Sequence, residues 1–248
     1  MRRARHREAG HAFVWMLMAV LMLIAAAMGA ASMGGATGDY VRRQVSADAA
    51  GKSAADVVAE RMRHIGRLQE IGLEAQDERD QEVEQMNQEI ELAEAAEAAG
   101  EVEEAAQHWD AAQEHYEKAQ EAEEKARKAS EAAVQIAENA PENARREAER
   151  VARANGASPE KVAGMPGSSL PNAWFGVRPA PAYFGAPLKW VTLGAGFSKM
   201  KIDVAVRQAG VDGASRRAHA VTAVASRSRA TGGGPITTDD WYGRLTAP

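Results

Sequence analysis

Ala12 to Gly38 is a run of 27 residues without one formally charged side chain, and its centre, Phe13 to Ile24, is unbroken apolar sequence. At a rise of 1.5 Å per residue, about 20 residues cross the roughly 30 Å hydrocarbon core of a bilayer. A segment of this kind commits the chain to a membrane span or to an export signal, and everything else must be built around that choice. Arg2, Arg3, Arg5 and Arg7 precede it, and arginines cluster on the cytoplasmic side of a span. The pattern predicts a cytoplasmic N-terminus (residues 1–11), a transmembrane helix (12–38) and an exported remainder held at the inner (cell) membrane by one pass. A basic start, an apolar middle and small residues around Ala27-Met28-Gly29-Ala30 also describe a cleavable signal peptide. Both readings export the chain and differ on whether it stays tethered.

Within the apolar run, Ala26, Ala30 and Gly34 recur every four residues. Small residues at that spacing let helices approach closely in lipid. They are the candidate helix–helix packing residues, against an equal expectation that an alanine-rich segment produces such a triplet by composition.

The net charge of −5 hides three regions of different sign. Residues 1–73 balance to +4, residues 74–150 to −16, and residues 151–248 to +7. Charge blocks of this kind mark segments with separate roles. The chain has no cysteine, which excludes disulfides, thiolate metal sites and a cysteine nucleophile. Aromatic residues make up only 5% of the chain, too few for a large enzyme core. No GxSxG elbow, P-loop or dinucleotide fingerprint is present, so no catalytic site and no cofactor is expected. The C-terminal arginines are scattered and form no nucleic-acid signature.

After the span the sequence reads Gly38-Asp39-Tyr40-Val41-Arg42-Arg43-Gln44-Val45-Ser46-Ala47-Asp48-Ala49-Ala50, and near the C-terminus Asp240-Trp241-Tyr242-Gly243-Arg244-Leu245. This resembles the N-terminal module and the aromatic-x-Arg-Leu ending of TadE/TadG-like proteins of the bacterial Tad (Flp) pilus system. Gly10 matches the family's glycine before the apolar helix. Gln44, Ala47, Asp48, Ala49 and Ala50 match its downstream signature, and Trp241, Arg244 and Leu245 match its ending. The resemblance covers residues 9–60 and the last dozen, about a third of the chain. It implies a non-enzymatic, single-pass structural or assembly component, whose partners would be lipid and either pilin-like or pilus-assembly proteins or further copies of itself. Pilin precursors cut after glycine carry glutamate five positions later, where Gly10 is followed by Trp15; a permanent TadG-like anchor fits better than a cleaved subunit. The alternatives are a membrane-tethered coiled-coil spacer or scaffold unrelated to pili, and a secreted binding protein released by signal peptidase.

Beyond the span, Val57, Arg61, Ile65, Leu68 and Gly72, then Val83, Met86, Ile90 and Ala93, keep helical spacing. Gly100 interrupts it. Val102, Ala105, Trp109, Ala112, Tyr116, Ala119, Ala126, Ala133 and Ala137 then occupy heptad-like positions, broken at Glu123 and Ser130. The reading is a long acidic helical hairpin or coiled coil over residues 39–155, turning near 100, with an end and restart at Asn139-Ala140-Pro141. The Leu92–Ala112 spacing also matches one tetratricopeptide unit, without the second copy a repeat fold needs. Glu104, His108 and His115 share a helical face, a polar surface more readily than a metal site.

Prolines and aromatics over 156–187 predict an irregular connector. Residues 188–248 predict a small antiparallel β region: a strand alternating at Met200, Ile202, Val204 and Val206, a second at Ala218–Ser226 and a third at Trp190–Leu193. Gly194-Ala195-Gly196 and Gly232-Gly233-Gly234 read as turns. The fold class expected is α+β.

Overall fold

In the computed structural model, residues 2–166, 175–192, 199–210, 213–226, 236 and 241–246 are described. The first proline of the chain is Pro141, so nothing covalent interrupts a helix before it. Helix α1 runs unbroken for 98 residues, Arg2–Ala99, and α2 for 53, Val102–Ala154. The membrane-type segment and the first arm of the hairpin are therefore one helix.

The turn at Gly100 is a Schellman closure. Gly100 N donates to Glu97 O at 3.1 Å, and Glu101 N donates to Ala96 O at 2.9 Å. This requires a left-handed residue at the helix end, and Gly100 has φ +83°, a conformation that costs a side-chain-bearing residue about 1 kcal/mol or more. α2 then packs back along α1. Cross-helix partners are mirrored about the turn: His108 with Glu89, His115 with Glu82, Arg79 with Glu123, and Ser53 with Glu147.

The seam on α2 is alanine. Ala105, Ala112, Ala119, Ala126, Ala133 and Ala140 are buried at seven-residue intervals, and Ala137, Ala144, Ala148 and Ala152 continue the stripe. Methyl-sized residues bring the two backbones close, which leaves no room for large side chains. Val102, Trp109 and Tyr116, expected on the seam, lie exposed at its rim. Trp109 instead donates to Glu97 at 2.9 Å.

The expected break at Pro141 does not occur; α2 passes through it. A mid-helix proline forfeits the bond to the carbonyl four residues back, a cost of about 3 kcal/mol. Here Ala137, Ala140, Ala144 and Ala148 flank it, all buried, and this packing outweighs the local penalty.

The C-terminal third forms two antiparallel sheets. The larger has strand order β1-β4-β5-β6, with β1 Ser158–Pro166, β4 Lys199–Ala209, β5 Ser215–Ser226 and β6 Trp241–Thr246. The smaller pairs β2 Gly176–Ala180 with β3 Leu188–Thr192. The three strands expected from alternation are β3, β4 and β5. The connector expected to be irregular instead holds β1 and β2. Its prolines are accommodated because β1 is an edge strand, with Pro159 beside a register shift and Pro166 at the end, and because β2 belongs to a two-stranded ribbon. Only a central strand needs donors on both sides. Gly194-Ala195-Gly196 and Gly232-Gly233-Gly234 lie outside the described residues.

Two or three strands cannot stand without a cover for one face. α1 supplies it. Ala47, Ala50, Ala54, Ala55, Val58, Met62 and Ile65 share one core with Ile202, Val204, Val206, Val224 and Trp241. Thr222, fully buried, donates from Oγ1 to Gly51 O at 3.1 Å. A second small core joins Ala75 and Ala126 to Ala180 and Leu188, under the β2–β3 ribbon.

Candidate functional site: an apolar helix and the sheet that grips its continuation

From Met16 to Gly38 every residue of α1 is exposed. Met22, Leu23 and Met28 are each about 70% exposed (68%, 70% and 70%). A stretch this apolar, and this free of contact with its own protein, suits lipid and not water. This helix is long and apolar enough to cross a membrane, and none of the apolar window is buried by the rest of the chain. Ala26, Ala30 and Gly34 lie on that exposed length, and a Cβ added at Gly34 would meet nothing within 4 Å. The small-residue face is open along its whole extent. Gly10 lies in the first turns of α1, remote from the sheet.

The other motif residues meet. Gln44 donates from Nε2 to Asp48 Oδ1 at 2.8 Å and to His219 O at 3.0 Å, tying the helix just past the apolar run to β5. Ala47 and Ala50 are fully buried under the sheet, while Asp48 and Ala49 are half-buried beside them. Trp241, at the head of β6, is 1% exposed in the same core. Arg63 donates to Trp241 O at 3.1 Å. Arg244 and Leu245 follow on β6, paired with Ala223 and Thr222 of β5. The small residues after the span and the aromatic strand near the C-terminus are thus two sides of one joint: alanine lowers the helix surface so that a sheet can lie on it.

A second joint lies farther along the hairpin, at the two positions where the alanine stripe breaks. Glu123, 1% exposed, accepts from Tyr183 N at 2.6 Å and from Phe184 N at 2.8 and 2.9 Å. Arg127 and Arg79 reach the same carboxylate at 3.1 and 3.4 Å. One turn-pair later, Ser130 Oγ donates to Lys189 O at 2.7 Å and accepts from Lys189 N at 2.9 Å. These polar residues lie in line with Trp109, Tyr116 and Ala137 beside the alanine seam, and they supply acceptors to the chain between β2 and β3 and to β3 itself. Tyr116 closes the contact edge-on against Phe184, with centroids 5.4 Å apart. Sequence pattern marked both positions as irregularities; their partners, some 60 residues away, carry no local signal.

His108 and His115 do not converge with Glu104. Nδ1 of each bonds a carboxylate of α1, Glu89 and Glu82, at 2.6 Å. Among the described residues no group of three or more His, Asp or Glu side chains is placed to hold a metal ion. Near the sheet, hydrogen bonds from Arg150 and then Ser53 hold Glu147 down to about 2. The exposed Glu114, Glu124 and Glu142 lie below the ordinary carboxylate value, through hydrogen bonds from Lys118, Lys128 and the Arg145–Arg146 pair.

What this arrangement does chemically is hold and present. One end is an exposed apolar rod long enough to cross a bilayer, the middle locks a sheet to the rod, and the far end is a two-helix tip on which nothing packs among the described residues. Comparison with protein-family models, curated proteins and solved structures finds no match to this chain.

Proposed function

We propose that this chain is a non-enzymatic, TadE/TadG-like single-pass protein of the inner membrane, acting as a structural or assembly component of a Tad (Flp) pilus system. One observation carries the reading: Ala47 and Ala50 of the family-like signature after the apolar run and Trp241 of the aromatic strand near the C-terminus pack into one core, so the two halves of the resemblance meet at a single structural joint. The N-terminus is cytoplasmic, residues 39 onward are exported, and Ala26, Ala30 and Gly34 are the face on which pilin-like neighbours or further copies pack. The test is co-purification of the full chain from its native membrane. Recovery of a pilus ATPase, a prepilin peptidase or pilin-like subunits supports the reading. A carbonate-resistant protein that brings down none of them removes it.

The alternative is a membrane-tethered spacer. It is favoured by the hairpin tip, which extends past the sheets with nothing packed on it among the described residues. Deleting matched turns from both arms would then abolish function through shortened reach alone, whereas a pilus-assembly component would depend on the span.

A further inference from the structure

Between the two helices lies a cleft of about 170 Å³ lined by Arg61, Gln135, Ile136, Asn139 and Asn143. Arg61 comes from α1 and the other four from α2. The Nε of Arg61 is buried and has no hydrogen-bond partner. A guanidinium offers five donors in a planar fork, and a buried donor left unmet is destabilising until a ligand meets it. In a chain rich in carboxylates, every nearby arginine on α2 has found one: Arg145 and Arg146 share Glu142, and Arg150 takes Glu147. Arg61 faces amides instead.

Those amides are themselves available. Among the described residues the side chains of Gln135 and Asn143 make no hydrogen bond, while Asn139 donates back to Gln135 O at 2.8 Å. One fixed positive charge, two free amide groups and the apolar flank of Ile136 make a receptor for a single negative charge of planar shape. We infer that this cleft binds a carboxylate, seated on the Arg61 fork and capped by the Gln135 and Asn143 amides. A phosphate dianion fits poorly, because only one cation lines the cleft. A lipid headgroup of the anchoring membrane is out of reach: Arg61 lies 22 positions beyond Asp39, roughly 33 Å along a helix at 1.5 Å per residue. The carboxylate is therefore a free small acid or a chain terminus or acidic side chain of a neighbouring protein. This inference stands independently of the pilus reading.

The full chain in detergent micelles, with ¹⁵N-labelled arginine, is titrated with sodium acetate, with tri-alanine and with tri-alanine amide, following the arginine Nε–H resonances. Saturable millimolar binding of acetate and tri-alanine, with tri-alanine amide at least tenfold weaker than tri-alanine, is expected. Comparable affinity for both acids assigns a free carboxylate, and tenfold tighter tri-alanine assigns a chain terminus; either upholds the site. Arg61→Met is expected to weaken binding at least tenfold, and Gln135→Ala with Asn143→Ala about threefold, the usual strengths of charged and neutral hydrogen bonds. Gln135 is exposed and Asn143 half-buried, and neither makes a side-chain hydrogen bond among the described residues, so the amide variant decides the matter if Arg61→Met fails to fold. Unchanged affinity in the amide variant, equal binding of the amide peptide, tighter binding of inorganic phosphate than of acetate, or no saturable shift would overturn the assignment.

Discussion

A Cβ placed on Gly243 of β6 would lie 2.7 Å from the Cβ of Ala55 and 3.0 Å from its backbone carbonyl carbon on α1. The Asp56 carboxylate, also 3.0 Å away, can swing aside, but the Ala55 methyl and the helix backbone behind it cannot. Replacing glycine by alanine ordinarily stabilises by about 0.4–1 kcal/mol through the unfolded chain. Overpacking a tight interface costs about 1–3 kcal/mol, so the contact decides the sign. Gly243→Ala is expected to lower stability by about 1–2 kcal/mol in denaturant titration. Ala55→Gly in the same chain should recover part of the loss, as coupled neighbours do. A Gly243→Ala protein as stable as wild type would show that β6 does not seat on α1.

Gly100→Ala serves as a contrast. Nothing lies within 4 Å of its added methyl, but its φ is +83°, so the cost is backbone strain of about 1 kcal/mol. Because no strand packs on the tip among the described residues, the loss should appear as fraying of residues near 96–105 in amide exchange, with the sheet untouched. Uniform loss of protection across both regions would contradict the separation of tip and body.

Glu123 is the anchor of the chain between β2 and β3. Removing it leaves the Tyr183 and Phe184 N–H groups without their acceptor, while Arg79, whose side chain is 6% exposed, keeps Asp80 as its carboxylate; a buried donor stranded in this way costs about 1–3 kcal/mol. Glu123→Ala should open residues 181–187 to limited proteolysis and lower the unfolding midpoint. Ser130→Ala, which removes neutral bonds, should cost about 1 kcal/mol. Proteolytic protection of 181–187 in Glu123→Ala equal to wild type would dismiss this joint.

Acid should weaken the same body. Glu147 titrates near 2 in the folded chain against 4.5 in its absence. A carboxylate depressed by folding stabilises above its unfolded value, and that contribution is lost as pH falls from 4.5 toward 2. Glu114, Glu124 and Glu142 act with the same sign at exposed positions. The urea midpoint of wild type should fall more steeply between pH 5 and 2 than that of Glu147→Gln. Parallel slopes would mean that the Ser53–Glu147–Arg150 contact does not hold in solution.

Ala30→Ile with Gly34→Ile raises apolarity, so insertion should be preserved. Filling the open small-residue face should weaken lateral association by about 1 kcal/mol, in the range found for such contacts. Leu23→Ile is the control. Partners recovered equally with the double variant and wild type would leave the span as a tether alone.

Much of the architecture could be read locally. An uncharged run, a glycine ending a helical stripe, and alternation at Ile202, Val204 and Val206 each state their structure within a few residues. The misreadings share one cause. Pro141, Pro159 and Pro179 looked like breaks because proline's cost is local, while what offsets it is the packing of Ala137 and Ala144 or an edge position in a ribbon. Glu123 and Ser130 looked like flaws in a seam because their partners, Phe184 and Lys189, are distant in sequence. At the candidate site, the alanines after the span were noticed as a signature. That they form a floor for Trp241 required the fold, as did the orphaned donor of Arg61.

The absence of any interruption in α1 has a mechanical consequence. From Asp39 to Ala99 the helix extends roughly 90 Å, and its second arm and sheet brace it along most of that length. Were the apolar end seated in a bilayer, tilt would become displacement: a change of about 10°, small against the spread of transmembrane tilts, would sweep the acidic tip through roughly 15 Å. A neighbour pressing on the apolar end would then be felt, amplified, at the far one, and such a rod would work as a lever.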